Sequence, residues 1–203
     1  MKFGINTIKS HRLQLLTCRN KLSTALSLRD ARINIPRPAG VVSYAAQAGF
    51  SLNKALDKAH ELKSLKEICD LPPSALQGLA DHSDDSFAVV NINSIKDLGA
   101  WKYYKAAKAI AALASVEESG ARPETAQSNI NKILKTQYEG KPIQEILTSP
   151  VYAFQGLTKE KAVSALEPHG VRTVSDLAKW RYASWAEAVT ILSKYENADF
   201  SSR

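Results

Sequence analysis

The chain repeats itself at a spacing of 78 residues, and no other feature of the sequence limits its fold so strongly. Residues 67 to 118 contain Glu67-Ile68, Pro72, Ala75, Gln77-Gly78-Leu79, Asp97-Leu98, Trp101, Tyr103, Ala107, Ala109-Ile110, Leu113 and Glu117. The pattern recurs as Glu145-Ile146, Pro150, Ala153, Gln155-Gly156-Leu157, Asp176-Leu177, Trp180, Tyr182, Ala186, Ala188-Val189, Leu192 and Glu196. The offset is 78 as far as the Gln-Gly-Leu step and 79 from the Asp-Leu step, so a single one-residue gap in the intervening turn restores the register. Asn53-Lys54 and Leu56 precede Asn131-Lys132 and Leu134 by the same 78 residues. We therefore expect two tandem copies of one small helical module, residues 51–119 and 124–198, behind an unrelated N-terminal segment, residues 1–50.

Charge separates that segment from the rest. The 203 residues carry a formal charge of +7, which on a single fold would suggest nucleic acid or an anionic membrane surface as partner. Residues 1–50 alone hold eight basic residues (Lys2, Lys9, Arg12, Arg19, Lys21, Arg29, Arg32, Arg37) against Asp30. The remaining 153 residues balance nineteen basic with nineteen acidic side chains and are neutral.

Within residues 1–30, Phe3, Ile5, Ile8, Leu13, Leu15 and Leu16 interleave with Lys2, Lys9, Arg12 and Arg19. An acid-poor, Arg-rich amphipathic leader has the character of an organellar transit peptide, which would send the chain to a mitochondrion or plastid. The other reading keeps the leader in the mature protein as an amphipathic helix or basic tail, leaves the chain cytoplasmic, and allows residues 1–30 to contact a membrane peripherally. Ile35-Pro36-Arg37-Pro38-Ala39-Gly40 then forbids regular helix and marks a linker. No apolar run reaches the roughly 20 residues of a transmembrane helix; the stretch Ala106 to Ala114 is interrupted by Lys108.

From residue 51 the apolar spacing is helical throughout, and the expected fold is all-α. Ser51 can cap a helix carrying Leu52, Ala55, Leu56, Ala59, Leu62 and Leu65, with Ala126 to Lys135 as its counterpart in the second copy. A short helix is expected from Ser74, followed by a polar stretch from Asp81 to Asp85. Asn93 or Ser94 should cap a short helix ending near Leu98 or Gly99, and a longer helix should run from Tyr103 to Glu117. In the second copy we expect helices over Ile143 to Leu147 and Lys159 to Leu166, a left-handed terminator at Gly170, and a cap at Thr173 or Ser175.

Catalysis finds little support. The two cysteines, Cys18 and Cys69, stand in unlike contexts, the four histidines are scattered, and phosphate loops, dinucleotide fingerprints, HExxH and GxSxG are missing. No cofactor or metal is expected. Asp81, His82, Asp84 and Asp85 read as a solvated acidic loop, and His169 as complementing a helix C-terminus electrically.

The stretch Phe154-Gln155-Gly156-Leu157-Thr158-Lys159-Glu160-Lys161-Ala162, then Leu166, His169-Gly170-Val171, Thr173-Val174 and Asp176-Leu177-Ala178, resembles the helix-hairpin-helix family. By that resemblance the turn between two helices presents backbone N–H groups to nucleic-acid phosphates, and the contacting positions are Gly156, Leu157, Thr158 and Lys159, with Gly78 in the first copy. Thr158 and Ala80 stand where a second turn glycine is expected, and Asp81, Asp84 and Asp85 would repel phosphate.

Trp101 and Tyr103, with their counterparts Trp180 and Tyr182, flank Lys102 or Arg181. Such a trio either stacks bases beside a cation or clamps the entry to a helix. With Trp185, found only in the second copy, these aromatics are the candidate interaction surface. The reading that follows is a non-enzymatic interaction or scaffold protein whose tandem modules dock on a protein partner. The alternative is nucleic-acid binding through the module hairpins.

Overall fold

Short apolar segments, several opened by a hydroxyl side chain, form eight α-helices among the described residues, which in this computed structural model are 50–118, 120–121 and 123–197. The basic leader, the proline-containing linker and the membrane contact expected of residues 1–30 lie outside them. The helices are α1 (Leu65–Cys69), α2 (His82–Ala88), α3 (Ile95–Ala100), α4 (Lys102–Ala114), α5 (Ile143–Thr148), α6 (Lys159–Ala165), α7 (Val174–Ala178) and α8 (Arg181–Leu192). The described residues contain isolated β-bridges and no strand, so their fold is all-α. No helix among them is long and apolar enough to cross a membrane.

Local chemistry accounts for the helix starts. The Ser64 side chain accepts from the Glu67 N–H, and the Glu67 carboxylate accepts from the Ser64 N–H at 2.8 Å, a reciprocal cap on α1. Ser94 caps α3 through the Asp97 N–H at 3.1 Å, and Thr173 caps α7 through the Asp176 N–H at 3.1 Å. Gly170 ends the helical turn after α6 at φ 78°, as its position in the sequence predicts. Asn91, 79 residues earlier, takes φ 60° at the corresponding point of the first copy, where it is the one non-glycine residue with positive φ among the described residues. Its short polar side chain tolerates the left-handed conformation.

Three expected helices do not form, and the one expected from Ser74 is a single 3-10 turn at Pro73–Ala75. Residues 51–64 are turns with a 3-10 segment at Lys58–His60, and residues 126–135 hold a 3-10 segment at Asn131–Ile133. Tertiary pairing has overridden the helical period. Leu56 bridges Leu76 in antiparallel fashion, with Asp57 N–H donating to Ala75 O and Gln77 N–H to Ala55 O, each at 3.0 Å. Leu134 bridges Phe154 with the matching bonds, Lys135 N–H to Ala153 O at 2.9 Å and Gln155 N–H to Ile133 O at 2.8 Å. Leu56 and Leu134 are buried as anchors of this pairing, whereas Leu62, counted as core by the helical period, is fully exposed. The polar stretch from Asp81 to Asp85 is likewise not a loop: most of it forms the first turns of α2. Asp84 there accepts from the N–H and hydroxyl of Ser74 at 2.9 and 2.7 Å, while Phe87, one turn further on, is fully buried.

The described residues fall in one compact unit, and its helices are interleaved. Helix α4 packs on α5 and α7 of the second half, and α8 packs on α1 and α3 of the first. Gly99 of α3 meets α8 so closely that a Cβ there would lie 2.5 Å from the Ala186 carbonyl oxygen. Two carboxylates complete the exchange. Glu117, just beyond α4, accepts from the Ile143 and Gln144 N–H groups at the start of α5, both at 3.0 Å. Glu196, beyond α8, accepts from the Leu65 and Lys66 N–H groups at the start of α1, at 2.7 and 3.1 Å.

Candidate functional site

Each Gln-Gly-Leu turn needs a left-handed backbone, and each is met by a tyrosine from the other half. Gly78 has φ 97° and Gly156 φ 89°. The Tyr182 hydroxyl donates to the Gly78 carbonyl at 3.1 Å, and the Tyr103 hydroxyl donates to the Gln155 carbonyl at 2.9 Å. A Cβ on Gly78 would sit 2.8 Å from the Tyr182 Oη, and one on Gly156 would sit 2.7 Å from the Tyr103 Oη. The glycines kept in both copies therefore admit a tyrosine hydroxyl as well as a positive φ.

The aromatic pairs form the walls beside these turns. Trp101 and Tyr103 meet edge to face with ring centroids 5.3 Å apart, and Trp180 and Tyr182 do so at 6.0 Å. All four are buried, so they belong to the core at the helix entries, and their polar tips lock the turns. Trp185 is half-buried against Tyr182. The residue between each Trp and Tyr is an exposed cation over the tyrosine ring: Lys102 Nζ lies 4.8 Å from the Tyr103 centroid, and the Arg181 guanidinium lies 4.7 Å from that of Tyr182.

Two clefts result, one at each turn. The first, about 390 Å³, lies between Gly156-Leu157 and the start of α4, with Asn91, Lys102 and Lys161 on its rim. The second, about 520 Å³, lies between Gly78 and the start of α8, with His169, Asp176, Lys179 and Arg181. Trp101, Lys102, Tyr103, Asn91 and Gly156 in one correspond by sequence offset to Trp180, Arg181, Tyr182, Gly170 and Gly78 in the other.

Electrostatics differ between the two. Burial pushes the Asp176 carboxyl up, but the N–H and hydroxyl of Thr173 and the N–H of Arg172 outweigh that and hold it below the usual carboxylate range, with Lys179 assisting. His169 does not act as a charged partner of a helix terminus. Burial, reinforced by His82, lowers its pKa, and its ring lies 4.7 Å from that of Phe87. The His169 Nε2 and the Trp180 Nε1 are buried without a hydrogen-bond partner among the described residues.

The hairpin positions are distributed differently from a simple phosphate cradle. Leu157 is buried, Thr158 caps α6 through the Lys161 N–H at 3.3 Å, and Lys159 is exposed at the first position of that helix. Gly156, Thr158 and Lys159 stand at the surface together. Sequence reasoning missed Lys161 and Lys179, which lie close in sequence to Gly156-Leu157 and Trp180 of their own half; the other half supplies the facing wall of each cleft.

A second pair of clefts is apolar in one case and mixed in the other, where Glu117, Glu118, Asn129 and Lys141 join the lining. One is lined by Phe50, Leu52, Leu56, Trp185 and Leu192 among others, and the other by Leu113, Val116, Ile130, Leu134 and Ile143 among others. Leu113 corresponds to Leu192 and Ile130 to Leu52. Comparison of the chain with protein families, with curated proteins and with solved structures finds no match.

Proposed function

We propose that this chain is a non-enzymatic interaction protein made of two tandem helix-hairpin-helix-like modules, residues 51–119 and 124–198, that docks on a protein partner. The observation that carries this reading is the apolar surface left at the ends of both long helices. Leu113 and Val116 at the end of α4 are 53% and 74% exposed, and Leu192 and Tyr195 at the end of α8 are 45% and 79% exposed. Leu192 lines an apolar cleft, Leu113 and Val116 line a mixed one, and grouped apolar exposure of this kind marks surfaces that bind other proteins. The module reading is supported by hydrogen bonds that recur at the sequence offset, including the paired bridges and the caps at Ser94 and Thr173.

The test places a photo-crosslinking amino acid at Val116 or Tyr195 in the full chain. The expected result is capture of the same discrete protein from both sites, abolished by Leu113→Asp and Leu192→Asp in a chain that still folds. Absence of any discrete adduct from either site would overturn the proposal.

A second reading, nucleic-acid binding, is supported by the shared exposure of Gly156, Thr158 and Lys159 at the second hairpin. It requires binding that weakens steeply with salt and falls on Lys159→Glu while the basic leader is intact. Unchanged affinity in that variant would assign any binding to the leader.

A further inference from the structure

We propose that the two clefts beside the glycine turns bind small phosphorylated molecules, each cleft taking one terminal phosphate or pyrophosphate group. This inference is independent of the apolar docking surface, which lies on other residues.

Each cleft carries two exposed cations. Lys102 and Lys161 rim the smaller one, where no carboxylate is among the lining residues described. Lys179 and Arg181 rim the larger one. Asp176 lines it too; its carboxylate accepts from the Arg172 and Thr173 N–H groups at 3.2 and 2.9 Å and stays charged, so this cleft carries one net positive charge and is the weaker of the two. Two of the cations are held in place before any ligand arrives. Lys102 lies over the Tyr103 ring, and the Arg181 guanidinium lies over Tyr182 and Trp185 and donates to the Tyr182 hydroxyl at 2.6 Å. A cation ordered in this way loses less freedom on meeting an anion.

The charge count selects the ligand. A phosphate monoester carries about −1.5 to −2 at neutral pH and so matches the two cations of the smaller cleft, whereas a carboxylate or a phosphodiester carries a single charge. Residues 51–203 are neutral as a whole, so paired cations at both clefts are a local concentration rather than a share of a general excess. Clefts of about 390 and 520 Å³ are in the range that encloses small molecules. The cation between Trp and Tyr is present in both halves, which places the same binding element at two equivalent positions.

The experiment is calorimetric titration of the full chain with inorganic pyrophosphate at fixed salt. Comparison is made with a Lys102→Ala/Lys161→Ala variant, a Lys179→Ala/Arg181→Ala variant and the quadruple variant. All four residues are exposed, and thermal melts verify the fold. The expected result is two equivalents bound per chain, one lost in each double variant, and affinity at least tenfold lower in the quadruple variant. Arg181→Lys, which keeps the charge, should retain binding within a few-fold. Hexaglutamate and an oligonucleotide without terminal phosphate should bind more weakly than pyrophosphate. The proposal is overturned if pyrophosphate does not bind, if the quadruple variant binds like the parent because the basic leader holds the anion, or if either control polyanion binds as tightly.

Discussion

The Tyr182 hydroxyl, on the second long helix, donates to the carbonyl of Gly78 in the first half at 3.1 Å. Tyr103 returns the contact to Gln155 beside Gly156. Because the two bonds run in opposite directions between halves, the interleaving of α4 and α8 depends on turns that leave room for a hydroxyl.

Gly78→Ala should therefore cost about 2 to 3 kcal/mol, since it imposes positive-φ strain and a Cβ 2.8 Å from the Tyr182 Oη. Gly156→Ala should behave alike. Gly140→Ala is the control, with φ 74° and nothing within 4 Å of the new Cβ, and should cost only the backbone share of about 1 kcal/mol. Urea denaturation gives these differences. Combining Gly78→Ala with Tyr182→Phe should recover part of the loss, and strict additivity would show that the hydroxyl contact is not the cause.

Glu117 and Glu196 each hold two N–H groups at a helix start in the opposite half. A carboxylate there satisfies orphan donors and complements the helix dipole. Glu196→Ala should cost about 1 kcal/mol, and Glu196→Gln less, because one amide oxygen still accepts. The same order is expected at Glu117. The Glu-to-Gln difference should shrink in high salt, and denaturation midpoints at low and high ionic strength measure it. Equal losses for Gln and Ala would mean that charge has no part in the cap.

These relationships explain which parts of the fold were legible in the sequence. The caps at Ser94 and Thr173, the terminator at Gly170 and the long helix α4 follow from chemistry within a few residues of each site. Residues 51–64 and 126–135 were misread because Leu56 and Leu134 gain more from bridging Leu76 and Phe154 than a helical spacing can offer, and that partner lies 20 residues away. The repeat identified Trp101, Tyr103, Trp180 and Tyr182 as important positions. It did not reveal that each tyrosine serves the other half's turn, so residues taken as a candidate surface are buried locks. Lys161 and Lys179 have no counterparts of like charge in the opposite copy, where Ser83 and Ala100 stand, so the repeat does not single them out.

His169 makes stability depend on pH in one window. Burial, with the neighbouring His82 adding to it, holds its folded pKa below the ordinary 6.5, so the unfolded chain takes up the proton first. The imidazole's contribution is thus fully present above about pH 6.5 and is lost as the pH falls through the lowered folded value. Val90, buried, occupies the corresponding position in the first copy, which makes His169→Val a substitution already accommodated by the fold. Denaturant midpoints between pH 8 and pH 5 should fall for the parent chain and fall less for His169→Val. The carboxylates held low, Asp176 and Glu67, titrate below this window and leave the comparison clean. Identical pH slopes for parent and variant would show that His169 is equally protonated in the folded and unfolded chains.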